Sequence, residues 1–246
     1  MKLYRSFSLL LCCSAFYGCQ STLSPSKLPS QPIIQTKTVP TQTSPLVLAR
    51  HPSHIPLGTT PSVHYQTWLL QANHSQQVSD YKSFLSQHNI RLPIPDEEFF
   101  RSARDWQRCA SDEFSVPTPE LWQHMQPTLE VLNQLLQQQF ISDIELTSSY
   151  RPADLNRCVG GAKSSSHLNN NAIDFRIGPP QPSAQDWEFI HQNKQQLCKF
   201  WQQQGKSYNM GLGVYPTGQI HIDTQGFRTW GADHTWHSSP CAEIIE

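Results

Sequence analysis

The chain has 246 residues and a formal net charge of −1, from 18 Lys and Arg against 19 Asp and Glu. That balance leaves no basic footprint for nucleic acid, and the absence of a phosphate-cradling glycine loop or an internal repeat argues against any polyanion partner.

The first 19 residues read as a secretory signal. Lys2 and Arg5 precede the apolar run from Phe7 to Phe16, which ends at Tyr17-Gly18-Cys19. The run is too short for a membrane span, which needs about 20 apolar residues. Gly18-Cys19 resembles the bacterial lipobox, making Cys19 the expected lipidation site. Phe16 and Tyr17 are bulkier than the usual residues there, and an ordinary cut nearby is the alternative. Residues 20–61 are dominated by Ser, Thr, Pro and Gln, which bury too little apolar surface to offset chain entropy, so a disordered linker is expected. Together these segments predict export to the periplasm and a lipid anchor in the outer membrane.

Residues 62–246 are the size of one domain with its own core, expected to act as a monomer. The stretch from His64 to His88 has helical spacing, interrupted near Asn73. Asp96 is a plausible cap for a helix running through Trp106, and Thr118-Pro119 opens another, which Pro127 should kink or split. The period then changes. Residues 143–149, 172–177 and 219–224 each alternate apolar and polar positions, predicting three strands with one apolar face apiece. Between the last two, Ser183 caps a helix to Gln204, with Trp187, Ile190, Leu197 and Trp201 inward. The expected class is α+β, a small antiparallel sheet packed with several helices.

Cys12 and Cys13 leave with the signal, so the domain keeps Cys109, Cys158, Cys198 and Cys241. Four cysteines in an exported domain read as two disulfides, with three connectivities open. A Cys-rich zinc site is the rival, but no C-x-x-C pair is present. The pairing adopted is Cys109 with Cys158 and Cys198 with Cys241.

Alternation also places chemistry. With Ile173, Phe175 and Ile177 in the core, Asp174 must face the other way, and His221 follows the same rule on its own strand. If the loop before Asp174 folds back, His167 joins them. Two imidazoles and a carboxylate suit a catalytic Zn²⁺, one per chain, with a fourth position left for water. Asn169-Asn170-Asn171 favours such a fold-back, because Asn tolerates left-handed backbone.

Ser165-x-His167-x-x-Asn170-x-Ala172-x-Asp174 resembles the S-x-H-x-x-G-x-A-x-D signature of the zinc D-alanyl-D-alanine carboxypeptidases and related murein endopeptidases, the LAS metallopeptidases. Ser149-Tyr150-Arg151-Pro152 is similar to the family's S-x-Y-R-S strand end. His221-Ile222-Asp223-Thr224, followed by Arg228 and Trp230, is similar to its H-x-D-T-G…R-x-W ending. The resemblance implies that His167, Asp174 and His221 bind zinc and that Arg151 binds substrate and stabilises the oxyanion. The implied substrates are peptidoglycan stem peptides containing D-amino acids, cut either as a terminal D-Ala or at a crosslink.

Two departures stand out. The signature glycine is Asn170, and a His found in several members two residues before the last ligand is Gln219, which cannot take a proton. Asp223, on the same strand face as His221, is the substitute expected as general base; its alternative is to support a ligand histidine. Arg151 and Asp223 are thus the expected catalytic residues outside the metal set. The histidines outside the metal set read as surface, His234 and His237 included, with these two, shortly after Trp230, the next positions to test as base. The competing function is a non-catalytic, zinc-containing cell-wall-binding module.

Overall fold

The computed structural model describes residues 58–242. The expected signal peptide, its candidate lipidation residue Cys19 and all of the linker before Gly58 lie outside the described residues.

The helical half begins with α1 (Val63–Leu69), whose cap Ser62 accepts from the Tyr65 amide and which buries Tyr65 and Trp68. Ala72 adopts φ 46°, breaking the chain where Asn73 suggested. Helix α2 (His74–Gln87) follows and buries Val78, Tyr81 and Leu85, one stripe at helical spacing.

Helix α3 (Asp96–Phe99) is a single turn, not the run to Trp106 that the sequence suggested, and Pro95 occupies the cap position. The carbonyls that would continue it are taken elsewhere. Ser149 donates its hydroxyl to the Phe99 carbonyl and its amide to that of Arg101, Ser148 donates to Ser102, and Arg101 pairs with Phe114. Pro119–Met125 forms a 3₁₀ helix, and α4 (Gln126–Gln137) starts anew with Pro127 in its first turn, the split expected there.

Strand β1 (Ile144–Ser148), helix α5 (Ala153–Cys158), strand β2 (Ala172–Ile177), helix α6 (Ala184–Phe200) and strands β3 (Gly211–Val214), β4 (Gln219–Asp223) and β5 (Arg228–Trp230) complete the described elements. The sheet order is β1-β2-β4-β3-β5. The three expected strands are β1, β2 and β4, paired antiparallel as anticipated, in an α+β fold. Two short strands extend them. β3 joins β4 antiparallel, but β5 runs parallel to β3, so the sheet is mixed.

Register decides which side chains share a face. Ile173 stands opposite Ile222 and Phe175 opposite Ile220, all buried in the core, while Asp174 stands opposite His221 on the other face. Helix α6 closes the core side. Its Ser183–Asp186 capping box fixes the start, Ile190, Leu197 and Trp201 are buried, and Trp187 packs half-buried against them. Disulfides join Cys109 to Cys158 and Cys198 to Cys241, the pairing adopted from the sequence.

Candidate metal centre

His167 lies on a short 3₁₀ turn, Ser166–Asn169, and is 3% exposed. Its Nδ1 is 2.6 Å from the Ser149 carbonyl, an acceptor, so the ring proton sits on Nδ1 and the lone pair on Nε2. That Nε2 lies 3.2 Å from Asp174 Oδ1 but outside hydrogen-bonding geometry, and has no partner among the described residues. A buried nitrogen lone pair without a donor is costly unless something else takes it.

His221 presents its other edge by the same logic. Its Nε2 is 2.9 Å from Asp223 Oδ2 and its Nδ1 2.8 Å from Asp174 Oδ1. Asp223 holds the Nε2 proton, so the nitrogen turned inward is Nδ1, whose lone pair becomes available to a cation once its own proton, held by Asp174, is released. His167, Asp174 and His221 thus offer two nitrogens and one oxygen, all within 4.8 Å of one another. This donor set fits Zn²⁺, and the orphaned His167 Nε2 is the observation that speaks for a cation there.

The chain folds this way because Asn170 turns it. Asn170 has φ 56° and ψ 39°, the left-handed region that its side chain tolerates. Unlike glycine, it also anchors the turn, its Nδ2 donating to Tyr81 Oη at 2.8 Å and to the Leu121 carbonyl at 3.0 Å. Thr128 Oγ1 donates to the Asn171 carbonyl at 2.7 Å, and the Arg151 amide to the His167 carbonyl at 3.1 Å. The loop is held from both sides.

Charge around the cluster is tightly matched. Burial pulls the His167 pKa down, outweighing the nearby Asp174 carboxylate. Burial opposes ionisation of Asp174 as well, but the two imidazoles outweigh it and hold its carboxyl well below the usual range. For His221, burial lowers the pKa while hydrogen bonds to Asp174 and Asp223 carry it up to about 9.

Asp223 and Arg151 both end beside ligands, committed to protein partners. Asp223 has a fully buried side chain, gripped by Arg228 through Nη1 at 3.0 Å and Nη2 at 2.7 Å, and it accepts from the Gln225 amide at 2.9 Å. Burial raises its pKa, but His221, Gln225 and Arg228 together bring it to about 2. It therefore sits behind His221, on the ring edge turned away from Asp174. Arg151 donates through Nη2 to Asp174 Oδ2 at 3.2 Å and to Ser148 Oγ at 2.9 Å, and through Nε and Nη1 to the Ser102 carbonyl and Asn156 Oδ1, each at 3.4 Å. Gln219 lies further along the His221 face, buried and accepting from Thr147 Oγ1 at 3.1 Å.

The wall beside His221 joins Trp230, part of the ending the sequence pointed to, with Tyr215, which sequence reasoning passed over. The Trp230 ring centroid is 5.3 Å from that of His221, and Trp230 Nε1 donates to Tyr215 Oη at 3.1 Å. Tyr215 follows the four-residue β3, too short to reveal itself by periodicity. His234 is exposed, as read from the sequence, and packs edge-on against Tyr215 with 5.9 Å between centroids, whereas His64 and His88 bond Glu113 and the Phe84 carbonyl in the helical half.

A family model described as Peptidase M15 matches residues 96–223, a span that begins at α3 and ends at the last residue of β4. "Probable peptidoglycan L,D-endopeptidase MepK" of Haemophilus influenzae is 35% identical over 96 residues, covering 36% of this chain and 43% of that protein. The chain thus spans less than half the length of that relative.

Proposed function

The chain belongs to the Peptidase M15 family, and from that premise we propose that it is a zinc-dependent peptidase hydrolysing D-amino-acid-containing peptide bonds of peptidoglycan, as a crosslink endopeptidase. The carrying observation is the convergence of His167 Nε2, Asp174 Oδ1 and His221 Nδ1, with the first left without a hydrogen-bond partner among the described residues. The endopeptidase reading, over removal of a terminal D-Ala, draws its support from the activity in the name of the Haemophilus relative.

His167, Asp174 and His221 hold the metal in this reading. A Zn²⁺ so held supplies Lewis acidity, activating a water and polarising the scissile carbonyl. Ser149 fixes the His167 tautomer through its carbonyl, and Asp223 fixes that of His221. Arg151 holds Asp174 in its ligating rotamer and places a fixed positive charge beside the reacting bond, where it offsets charge growing on the carbonyl oxygen. The position of Asp223 behind His221 supports the orienting role over that of general base, because both its oxygens already accept from protein donors.

The same reading places the protein in the periplasm, lipidated at Cys19 and tethered to the outer membrane by the linker. The two disulfides support an oxidising compartment. Mass spectrometry of purified muropeptides incubated with the zinc-loaded protein tests the activity. Crosslinked or stem peptides shortened at a D-amino-acid bond are expected. Unchanged muropeptides, with zinc bound, would instead favour a non-catalytic cell-wall-binding module.

A further inference from the structure

Hydrolysis at this centre needs a donor for the carbonyl oxygen as it gains charge, and most of the polar hydrogens nearby are already committed. Arg151 directs donors to Ser102, Ser148, Asn156 and Asp174. Tyr215 differs. An indole N–H can only donate, so the 3.1 Å contact makes Tyr215 Oη the acceptor from Trp230 Nε1. The phenol's own hydrogen has no acceptor among the described residues. The half-buried ring feels the charges of Asp174, Arg151 and Arg104, and the indole bonded to its hydroxyl packs against His221, with 5.3 Å between ring centroids.

The arrangement is built into the backbone. Gly213 pairs with His221 on one side and Trp230 on the other, and a Cβ at Gly213 would lie 2.7 Å from Trp230 Nε1. The missing side chain lets the indole lie across β3, between the His221 ring and the Tyr215 hydroxyl. From the far side, the buried Lys194 Nζ donates to the carbonyls of Tyr215, Pro216 and Thr217, pinning the turn that carries Tyr215 to helix α6. A tyrosine fixed through both its hydroxyl and its backbone is preorganised, the condition under which a donor acts on a developing charge without reorganisation.

We propose that Tyr215 is a catalytic donor, its hydroxyl donating a hydrogen bond to the oxygen of the scissile carbonyl as that oxygen becomes negative while keeping its own proton, with Trp230 as its positioning residue. This rests on the peptidase reading above. Burial raises the phenol pKa, which keeps the hydrogen in place at neutral pH.

The test compares Tyr215→Phe with the wild-type protein, both zinc-loaded. On a crosslinked muropeptide, kcat should fall about 10- to 100-fold with KM changed less than about threefold, while zinc content and melting temperature stay the same. Calorimetric affinity for a phosphinate isostere of a D-Ala-containing dipeptide, whose tetrahedral oxygen mimics the charged carbonyl, should fall by a similar factor. Affinity for the cleaved peptide should not. Trp230→Phe should give a smaller loss, and Tyr215→Phe combined with Trp230→Phe should be no worse than Tyr215→Phe alone, since both act through one hydrogen. Retention of kcat and phosphinate affinity by Tyr215→Phe within twofold would overturn the proposal, as would a loss confined to KM. If the wild-type protein cuts no muropeptide, the proposed function fails, and the phosphinate comparison still decides the role of Tyr215.

Discussion

Asp223 lies two residues beyond His221 on one face of β4, its Oδ2 2.9 Å from the Nε2 of that ring, while the Nδ1 on the ring's opposite edge meets Asp174 at 2.8 Å. One imidazole is thus clamped between two carboxylates. The outer one selects the tautomer that leaves Nδ1 free to bind a cation.

Asp223→Asn should therefore weaken zinc binding by about 10- to 100-fold, the usual effect of removing such a partner. Competition with a fluorescent chelator measures this directly. Activity should return in excess zinc. A variant with full zinc affinity and no turnover would instead restore Asp223 as the group that takes the water proton.

The cluster should hold one Zn²⁺ per chain, released by alanine at His167, Asp174 or His221. Elemental analysis after dialysis gives the stoichiometry. Zinc retained undiminished by the triple alanine variant would place the metal elsewhere.

Glu98 predicts an unusual pH dependence of stability. It is fully buried on α3, Oε2 accepting from the Leu146 amide and Oε1 without a hydrogen-bond partner among the described residues, and burial, opposed by that hydrogen bond, raises its pKa to about 7. Because the folded value lies above the unfolded one near 4.5, the contribution is fully present below that pH. It is lost as pH rises through about 7, by on the order of 3 kcal/mol. Urea unfolding at several pH values should show this fall, and Glu98→Gln should flatten it by keeping the neutral, hydrogen-bonded form. Parallel curves for the two proteins would rule out Glu98 as the cause.

Asn170→Gly restores the residue of the related signature and relieves about 1 kcal/mol of left-handed strain. It also deletes the donations to Tyr81 and Leu121, each contributing about 1 kcal/mol or more when buried. The variant should melt below the wild type. A higher melting temperature would mean that strain outweighs both bonds.

Reducing the Cys109–Cys158 bridge should cost about 2 to 4 kcal/mol. A Cys109→Ser, Cys158→Ser double variant, compared by denaturant unfolding, gives the figure. Equal stability would show that the unfolded chain gains little freedom when the bridge opens.

The parts legible in the sequence were those written in periodicity and local chemistry. Alternation located β2 to the residue and put Asp174 and His221 on the polar faces of their strands, and the asparagine run announced the turn that brings His167 back; that the two strands pair in register is set by the sheet. The residues that escaped notice depend on distant partners. Helix α3 is cut short by hydroxyls from Ser148 and Ser149, nearly 50 positions away, which nothing around Asp96 reveals. Strands β3 and β5 are four and three residues long, below the length at which a period of two is recognisable. Tyr215 is visible only once Trp230 lies across β3, and the place of Asp223 behind His221 only once Arg228 grips it from β5, two strands away in the sheet.

The reach of Asn170 bears on where this molecule could be cut. Residues 96–223 carry the family match, yet Tyr81 upstream bolts the turn that carries His167 to α2, and Arg228 downstream clamps Asp223. Excised along those borders, the segment would keep every ligand and lose the struts that aim them. The smallest autonomous unit of this chemistry is accordingly larger than its signature, and grafting the motif onto another scaffold would require carrying over α2 and β5 as well.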